Sequence, residues 1–223
     1  MSYWNHRKEV RRERSVDHEA LARASAILLD DGGPRALTVR SVASALQVAP
    51  SSVYSRVHGV EDLFDLALDH VLGEDQEVAA ALRGPDLMGL LLAQYRHLLR
   101  HRWACEVISR RPPRGPNHLQ LSERMCDLLV TAGAAEPLGT SYAVSNLVIG
   151  SAVTAPLAEA ELAAAIDEEA APVYASLHRD QEPDPEAVLR SALATLLAPL
   201  RPPPGTAPTR GGRPAGTGSR RAR

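Results

Sequence analysis

Aromatic residues are scarce in this chain: one phenylalanine, two tryptophans and five tyrosines, 4% of 223 residues. Sheets draw on aromatic and β-branched side chains, whereas interdigitating helices are built well from alanine and leucine, which supply most of the 44% apolar content. Almost no sheet is expected. Cysteine is nearly absent too. Cys105 and Cys126 form no CxxC pair and have no histidine at metal-ligand spacing, which argues against a disulfide scaffold or a zinc finger and reads as two reduced, buried thiols. No apolar run approaches the roughly 20 residues that span a bilayer, and the opening MSYWNHRKEVRRER lacks the apolar core of a signal peptide, so no membrane span and a cytoplasmic location are expected. Catalytic constellations are missing as well: no Ser-His-Asp order, carboxylate pair, phosphate loop or metal cluster stands out, so neither enzyme activity nor a cofactor is expected. His97, His101 and Cys105 come nearest to a ligand set, and they read better as one polar helix face.

What is present is unevenly placed. The formal net charge of −2 conceals a segregation: residues 1–60 hold 9 basic and 6 acidic side chains, 61–200 hold 10 and 21, and 201–223 hold 6 and none. A basic first segment on an acidic body suits an oriented contact with a polyanion, because the body then faces away from phosphate. Chance unevenness of solvated charge is the alternative.

Helical spacing begins early. Ser15 can cap a helix carrying Ala20, Leu21, Ala24, Ile27 and Leu28, which Asp31-Gly32-Gly33-Pro34 ends. Thr38 can cap a second, with Val39, Val42, Ala43 and Leu46 on one face. After Gln47-Val48-Ala49, Pro50 suits the first turn of a third, short helix, with Val53 and Val57 inward, Ser51, Ser52, Ser55 and Arg56 outward, and Gly59 closing it. Glu61 and Asp62 suit the start of a fourth, whose inner face carries Leu63, Leu66, Ala67, His70 and Val71. Further helices are expected at roughly 86–110, 117–133, 138–158, 159–178 and 184–199. These divide the chain into a basic arm (1–14), a helix-turn-helix unit (15–60), a helical regulatory and dimerisation unit (61–200) and a disordered basic tail (201–223).

Two short helices around a tight turn, the second polar outside, form the arrangement that lays a recognition helix in the major groove. Leu37-Thr38-Val39-Arg40-Ser41-Val42-Ala43 followed by Leu46-Gln47-Val48-Ala49-Pro50-Ser51-Ser52-Val53-Tyr54-Ser55-Arg56-Val57 resembles the signature of the tetracycline-repressor (TetR) family, over about residues 15–72. The resemblance implies an all-α fold: an N-terminal three-helix DNA-binding domain followed by a helical ligand-binding and dimerisation domain. It also implies that Thr38 contacts phosphate, that Arg40 reaches a guanine edge, and that Pro50, Ser51, Ser52, Tyr54, Ser55 and Arg56 lie in the groove. An Arg fork suits guanine O6 and N7; a solvated surface Arg is the alternative for Arg40, and a half-buried core Tyr for Tyr54. The chain departs from the family at Val57, where an aromatic is usual, at Val60, in place of a phosphate-binding Lys, and at Ala49, in place of a capping Ser or Thr. His58, Arg56 or an arm comprising Arg7, Lys8, Arg11, Arg12 and Arg14 would have to compensate; the arm reads equally as a solvated leader.

Arg111-Pro112-Pro113-Arg114-Gly115-Pro116-Asn117 and the helix ending at Ala132-Gly133 resemble the regulatory domain of the tetracycline-repressor type. By that resemblance the partners are palindromic operator DNA, a second copy of the chain and a small-molecule effector. The dimer would be built from about 140–158, with Gly150, Ser151 and Ala152, and 184–199, with Val188, Leu189, Ala192, Leu196 and Leu197. The effector would be held by Tyr95, Trp103, Val107, Met125 and Leu129, each of which reads equally as plain core. Apolar residues at Leu90, Ile108 and Met125 argue against tetracycline itself and for a largely apolar effector. A DNA-binding regulator without a small-molecule effector remains the alternative.

Overall fold

A computed structural model describes residues 2–6 and 16–198. The tail, most of the arm and Ser15 fall outside the described residues. Among those described, helices and turns are present and no strand.

The chain runs α1 (His18–Gly32), α2 (Val39–Ala45), α3 (Pro50–Tyr54), α4 (Val60–Glu74), α5 (Gln76–Arg83), α6 (Leu87–Arg100), α7 (Trp103–Arg110), α8 (Pro116–Thr131), α9 (Pro137–Thr154), α10 (Ala158–Ala163), α11 (Pro172–Asp180) and α12 (Pro185–Leu197), with short 3₁₀ turns at Tyr3–Asn5, Pro34–Ala36 and Ala155–Leu157. α1 packs along α4, α2 on α3, and α6, α8 and α12 gather around α9. One hydrophobic cluster extends from Leu21 to Leu193, so the first four helices share a core with the rest.

Several boundaries differ from the sequence expectation. α1 starts after Asp17, and its buried side is Leu21, Ala22, Ser25 and Leu29, while Ile27 is exposed. α3 ends at Tyr54, and Gly59 precedes α4 instead of closing α3. The expected helix over 86–110 breaks at His101 and Arg102, and the one over 159–178 breaks between α10 and α11. α5 was not anticipated; Asp75 caps it, accepting the N–H groups of Glu77 and Val78 at 3.0 and 3.1 Å.

Pro137–Ala163 corrects the expectation that no run approaches bilayer length: with a mean hydropathy of 1.2 it is long and apolar enough, by length and composition, to cross a membrane. In the fold, the 3₁₀ turn after Thr154 interrupts it and Val144, Val148 and Ala152 enter the core, which leaves Leu138, Tyr142, Val153 and Leu157 on the outside. α12 splits in the same way. Leu189 and Leu193 are buried within the subunit, against the expected stripe in which Leu189 faced a partner, while Val188 and Leu196 remain exposed.

A face of α4 that periodicity did not reveal organises the rest. Asp62, Asp65 and Asp69, spaced i, i+3, i+7, are all buried. Asp65 accepts the Tyr3 N–H at 2.7 Å and the Ser2 hydroxyl at 3.1 Å and pairs with Arg111 Nε at 3.0 Å. Residues 2–6 therefore dock on α4, with Tyr3 buried, instead of forming part of a solvated leader. Asp69 accepts the N–H groups of Asn117 and His118 at 3.3 and 3.1 Å, and so caps α8 from a neighbouring helix. Gly115 passes so close that a methyl group there would overlap the Asp69 carboxyl. Because that carboxyl is held by Asn117 and His118, it cannot swing aside cheaply. Gly115→Ala is expected to cost about 1–3 kcal/mol of stability, read as a lower urea midpoint at an unchanged m-value.

Candidate nucleic-acid interface

The helix-turn-helix is fastened at both ends of its first helix. Thr38 accepts the Ser41 N–H at 2.9 Å while Ser41 Oγ accepts the Thr38 N–H at 2.8 Å, a reciprocal capping box. At the other end Gln47 takes φ 56°, and the Val48 N–H reaches the Ala43 carbonyl at 2.9 Å and the Gln47 N–H that of Ser44 at 3.1 Å. This is a Schellman ending in which glutamine occupies the left-handed position that glycine usually holds. α3 starts on Pro50 with no side-chain cap at Ala49.

Val39, Val42, Ala43, Val53 and Val57 are buried, with the last two fully enclosed. Since they anchor the inner faces of both helices, Thr38, Arg40, Pro50, Ser51, Tyr54 and Ser55 turn to solvent, Tyr54 at 51% exposure. Ser52 and Arg56 are half-buried, less outward than their spacing suggested. Ser55 returns its hydroxyl to the Ser52 carbonyl at 2.6 Å. His58, exposed, is oriented by Asp62, whose Oδ2 accepts the His58 backbone N–H at 2.8 Å and lies 3.4 Å from Nδ1. The result is a pair of short helices, the first capped at both ends, whose outer surface carries hydroxyls, one phenol and cationic side chains.

A family model for the tetracycline repressor-like C-terminal domain matches residues 86–198, half of the chain. The chain belongs to the TetR family. It is 37% identical over 150 residues to an HTH-type transcriptional regulator of Saccharopolyspora erythraea, covering 65% of this chain and 63% of that protein. It is 28% identical over 144 residues to the HTH-type transcriptional repressor DrrR1 of Streptomyces coeruleorubidus, covering 60% of this chain and 52% of that one. Each match thus spans less than two thirds of the relative's length. In fold it is similar to ActR of Streptomyces coelicolor, crystallised with actinorhodin, at a TM-score of 0.69 and 20% identity over 84% of this chain and 96% of that one.

In the C-terminal part of this TetR-family chain, the five expected effector contacts Tyr95, Trp103, Val107, Met125 and Leu129 are all buried in the hydrophobic cluster. Trp103 donates its indole N–H to Asp30 at 2.6 Å. Of the larger clefts described, one of about 500 Å³ reaches Trp103, beside Leu29, Asp30, Arg100 and Glu106, and the other two do not border the five. One of about 470 Å³ opens between α1, α4 and α6, bordered by Arg23, Asp30, His70, Glu74 and Arg100. Another, of about 400 Å³ and mainly apolar, lies where α9, α10 and α12 meet.

His97 and His101 correct the reading of a polar helix face. His101 Nδ1 lies 2.8 Å from Asp30 at the end of α1, and His97 is buried with Nδ1 2.8 Å from Asp75. The two rings stand 5.1 Å apart. Burial outweighs the Asp75 hydrogen bond and, with His101 and His118 nearby, holds the His97 pKa down to about 4, so the ring is neutral at pH 7. For Asp75 burial acts upward, but Arg100, the Val78 N–H and His97 outweigh it and leave the carboxyl at about 2.

A histidine depressed in the fold binds its proton earlier when unfolded. Stability therefore falls as pH drops from 6.5 towards 4, and Asp75 adds a further loss from its ordinary 3.8 towards 2. The His97 contribution is about 3 kcal/mol. His97→Gln is expected to flatten the stability-against-pH curve between 6.5 and 4, measured by urea denaturation across that range; an unchanged slope would count against a neutral His97.

Proposed function

We propose that this chain is a cytoplasmic transcriptional repressor that binds an inverted-repeat operator as a homodimer through α2 and α3 and is released by a small, largely apolar effector. The observation that carries the reading is the helix-turn-helix itself: α2 capped at both ends, α3 seated on Val53 and Val57, and an outward surface of Thr38, Arg40, Ser51, Tyr54, Ser55 and His58. Family membership supports it, as do the regulator and repressor names of the two relatives. Pairing is supported by the exposed apolar face of α9 and α12, where Leu138, Tyr142, Val153, Val188 and Leu196 would stay in water in a lone subunit. The ActR complex with actinorhodin supports an organic effector.

A regulator without a small-molecule effector is the second reading, favoured by the close packing of Tyr95, Trp103, Val107, Met125 and Leu129. An apolar compound that raises the melting temperature and lowers operator affinity decides for the first reading.

Arg40, the exposed cation on α2, reads a base in this scheme, and Arg56 meets phosphate. With an operator selected from random duplexes, Arg40→Ala is expected to cost about 1–3 kcal/mol per half-site and to relax preference at one symmetric pair of positions. Arg56→Ala is expected to weaken operator and scrambled DNA alike and to reduce the salt slope by about one unit. Fluorescence anisotropy at two salt concentrations measures both, and equal losses on the two duplexes for Arg40→Ala would remove its role as a base reader.

Leu196→Glu places a charge in the proposed interface. Light scattering is expected to show the wild type at about twice the chain mass of 24.0 kDa and the variant near that mass, with operator affinity lost because a single half-site reads too few base pairs. A wild-type monomer at micromolar concentration would refute the dimer.

A further inference from the structure

Behind α3 the fold brings together two imidazoles and a carboxylate from separate parts of the chain. His6 follows the 3₁₀ turn at Tyr3–Asn5, His58 lies in the loop between α3 and α4, and Asp62 sits in the first turn of α4. His6 Nε2 is 2.9 Å from Asp62 Oδ1, His58 Nδ1 is 3.4 Å from Oδ2, and the two rings lie edge to face at 4.6 Å. One donor atom of each residue lies within 4.8 Å of the other two.

We propose that His6, His58 and Asp62 form a binding site for a divalent cation of the zinc class, which fastens the N-terminal segment to the loop behind the recognition helix. The donor set is right for such an ion: neutral imidazole nitrogens and one carboxylate oxygen suit a borderline metal, and the carboxylate offsets part of its charge. The spacing is right as well. Ligand bonds of about 2.0–2.2 Å in tetrahedral geometry put donor atoms about 3.4 Å apart, and the donor atoms of His6, His58 and Asp62 already lie within 4.8 Å of one another, so side-chain rotations suffice to bring them onto one ion. A water would complete the four-coordinate shell.

A further observation supports coordination over a plain His–Asp contact. Asp62 is oriented in advance, because its Oδ2 holds the His58 N–H at 2.8 Å and it is only 3% exposed. A bound cation would reverse the local negative charge of Asp62 beside the proposed DNA surface, where phosphate disfavours it.

The test titrates the full chain with cobalt(II), then zinc(II), without DNA, so its outcome is independent of the operator reading. Cobalt is expected to give visible ligand-field bands that saturate at one ion per chain and are displaced by zinc. His6→Gln and His58→Gln should each weaken binding at least about tenfold, and His178→Gln should leave it unchanged. Asp62→Asn is avoided because Asp62 also anchors the loop backbone, whereas His58 is exposed and its variant is expected to fold, checked by circular dichroism. The absence of saturable binding at one ion per chain, or wild-type affinity in either His6→Gln or His58→Gln, overturns the proposal.

Discussion

Three carboxylates buried along one side of α4 set the terms on which the remaining elements meet. A buried charge is costly unless it is paired and hydrogen-bonded, and each of these aspartates finds its partners on a different part of the chain. Asp62 draws in His6 and the loop behind α3, Asp65 the Tyr3 amide and Arg111, and Asp69 the first turn of α8. The opposite side of α4 is apolar and packs along α1. One helix thus holds the N-terminal turn and the loop after α3 together with the start of α8 and Arg111, and none of these can move without disturbing paired buried charge.

Polar ties between the two halves extend beyond α4. Asp30 at the end of α1 receives both Trp103 and His101, while Asp75 between α4 and α5 receives His97 and Arg100. Arg96 bridges Glu77 to Glu186 and joins α5, α6 and α12. The junction between the first four helices and the later ones therefore adds directional bonds to the apolar core that they share. The cleft between α1, α4 and α6 opens at this junction.

The helix-turn-helix was legible because its information is local. Thr38, Val39 with Val42 and Ala43, Pro50, and Val53 with Val57 are marked within a few residues, so caps and periodicity report them directly. The C-terminal part was less so. His101 and Arg102 break α6 from α7 with no glycine or proline to mark the spot, and α5 consists of only eight residues. The aspartate row left a trace, since acidic residues at i, i+3 and i+7 of an otherwise apolar helix are unusual, but the same spacing describes a solvated acidic face.

By itself the sequence determined the all-helical class and the pair of short helices with Thr38 at the start of the first, because these follow from spacing over one or two turns and from composition. Only the tertiary structure decided which polar residues are buried and with whom. That Asp69 caps a helix 48 residues away, that His97 sits neutral beside Asp75, that His6 returns to His58, and that Tyr95, Trp103, Val107, Met125 and Leu129 pack as core all depend on contacts between segments distant along the chain. A side chain's type and spacing state what it can bond; only the packing of its neighbours states what it does bond.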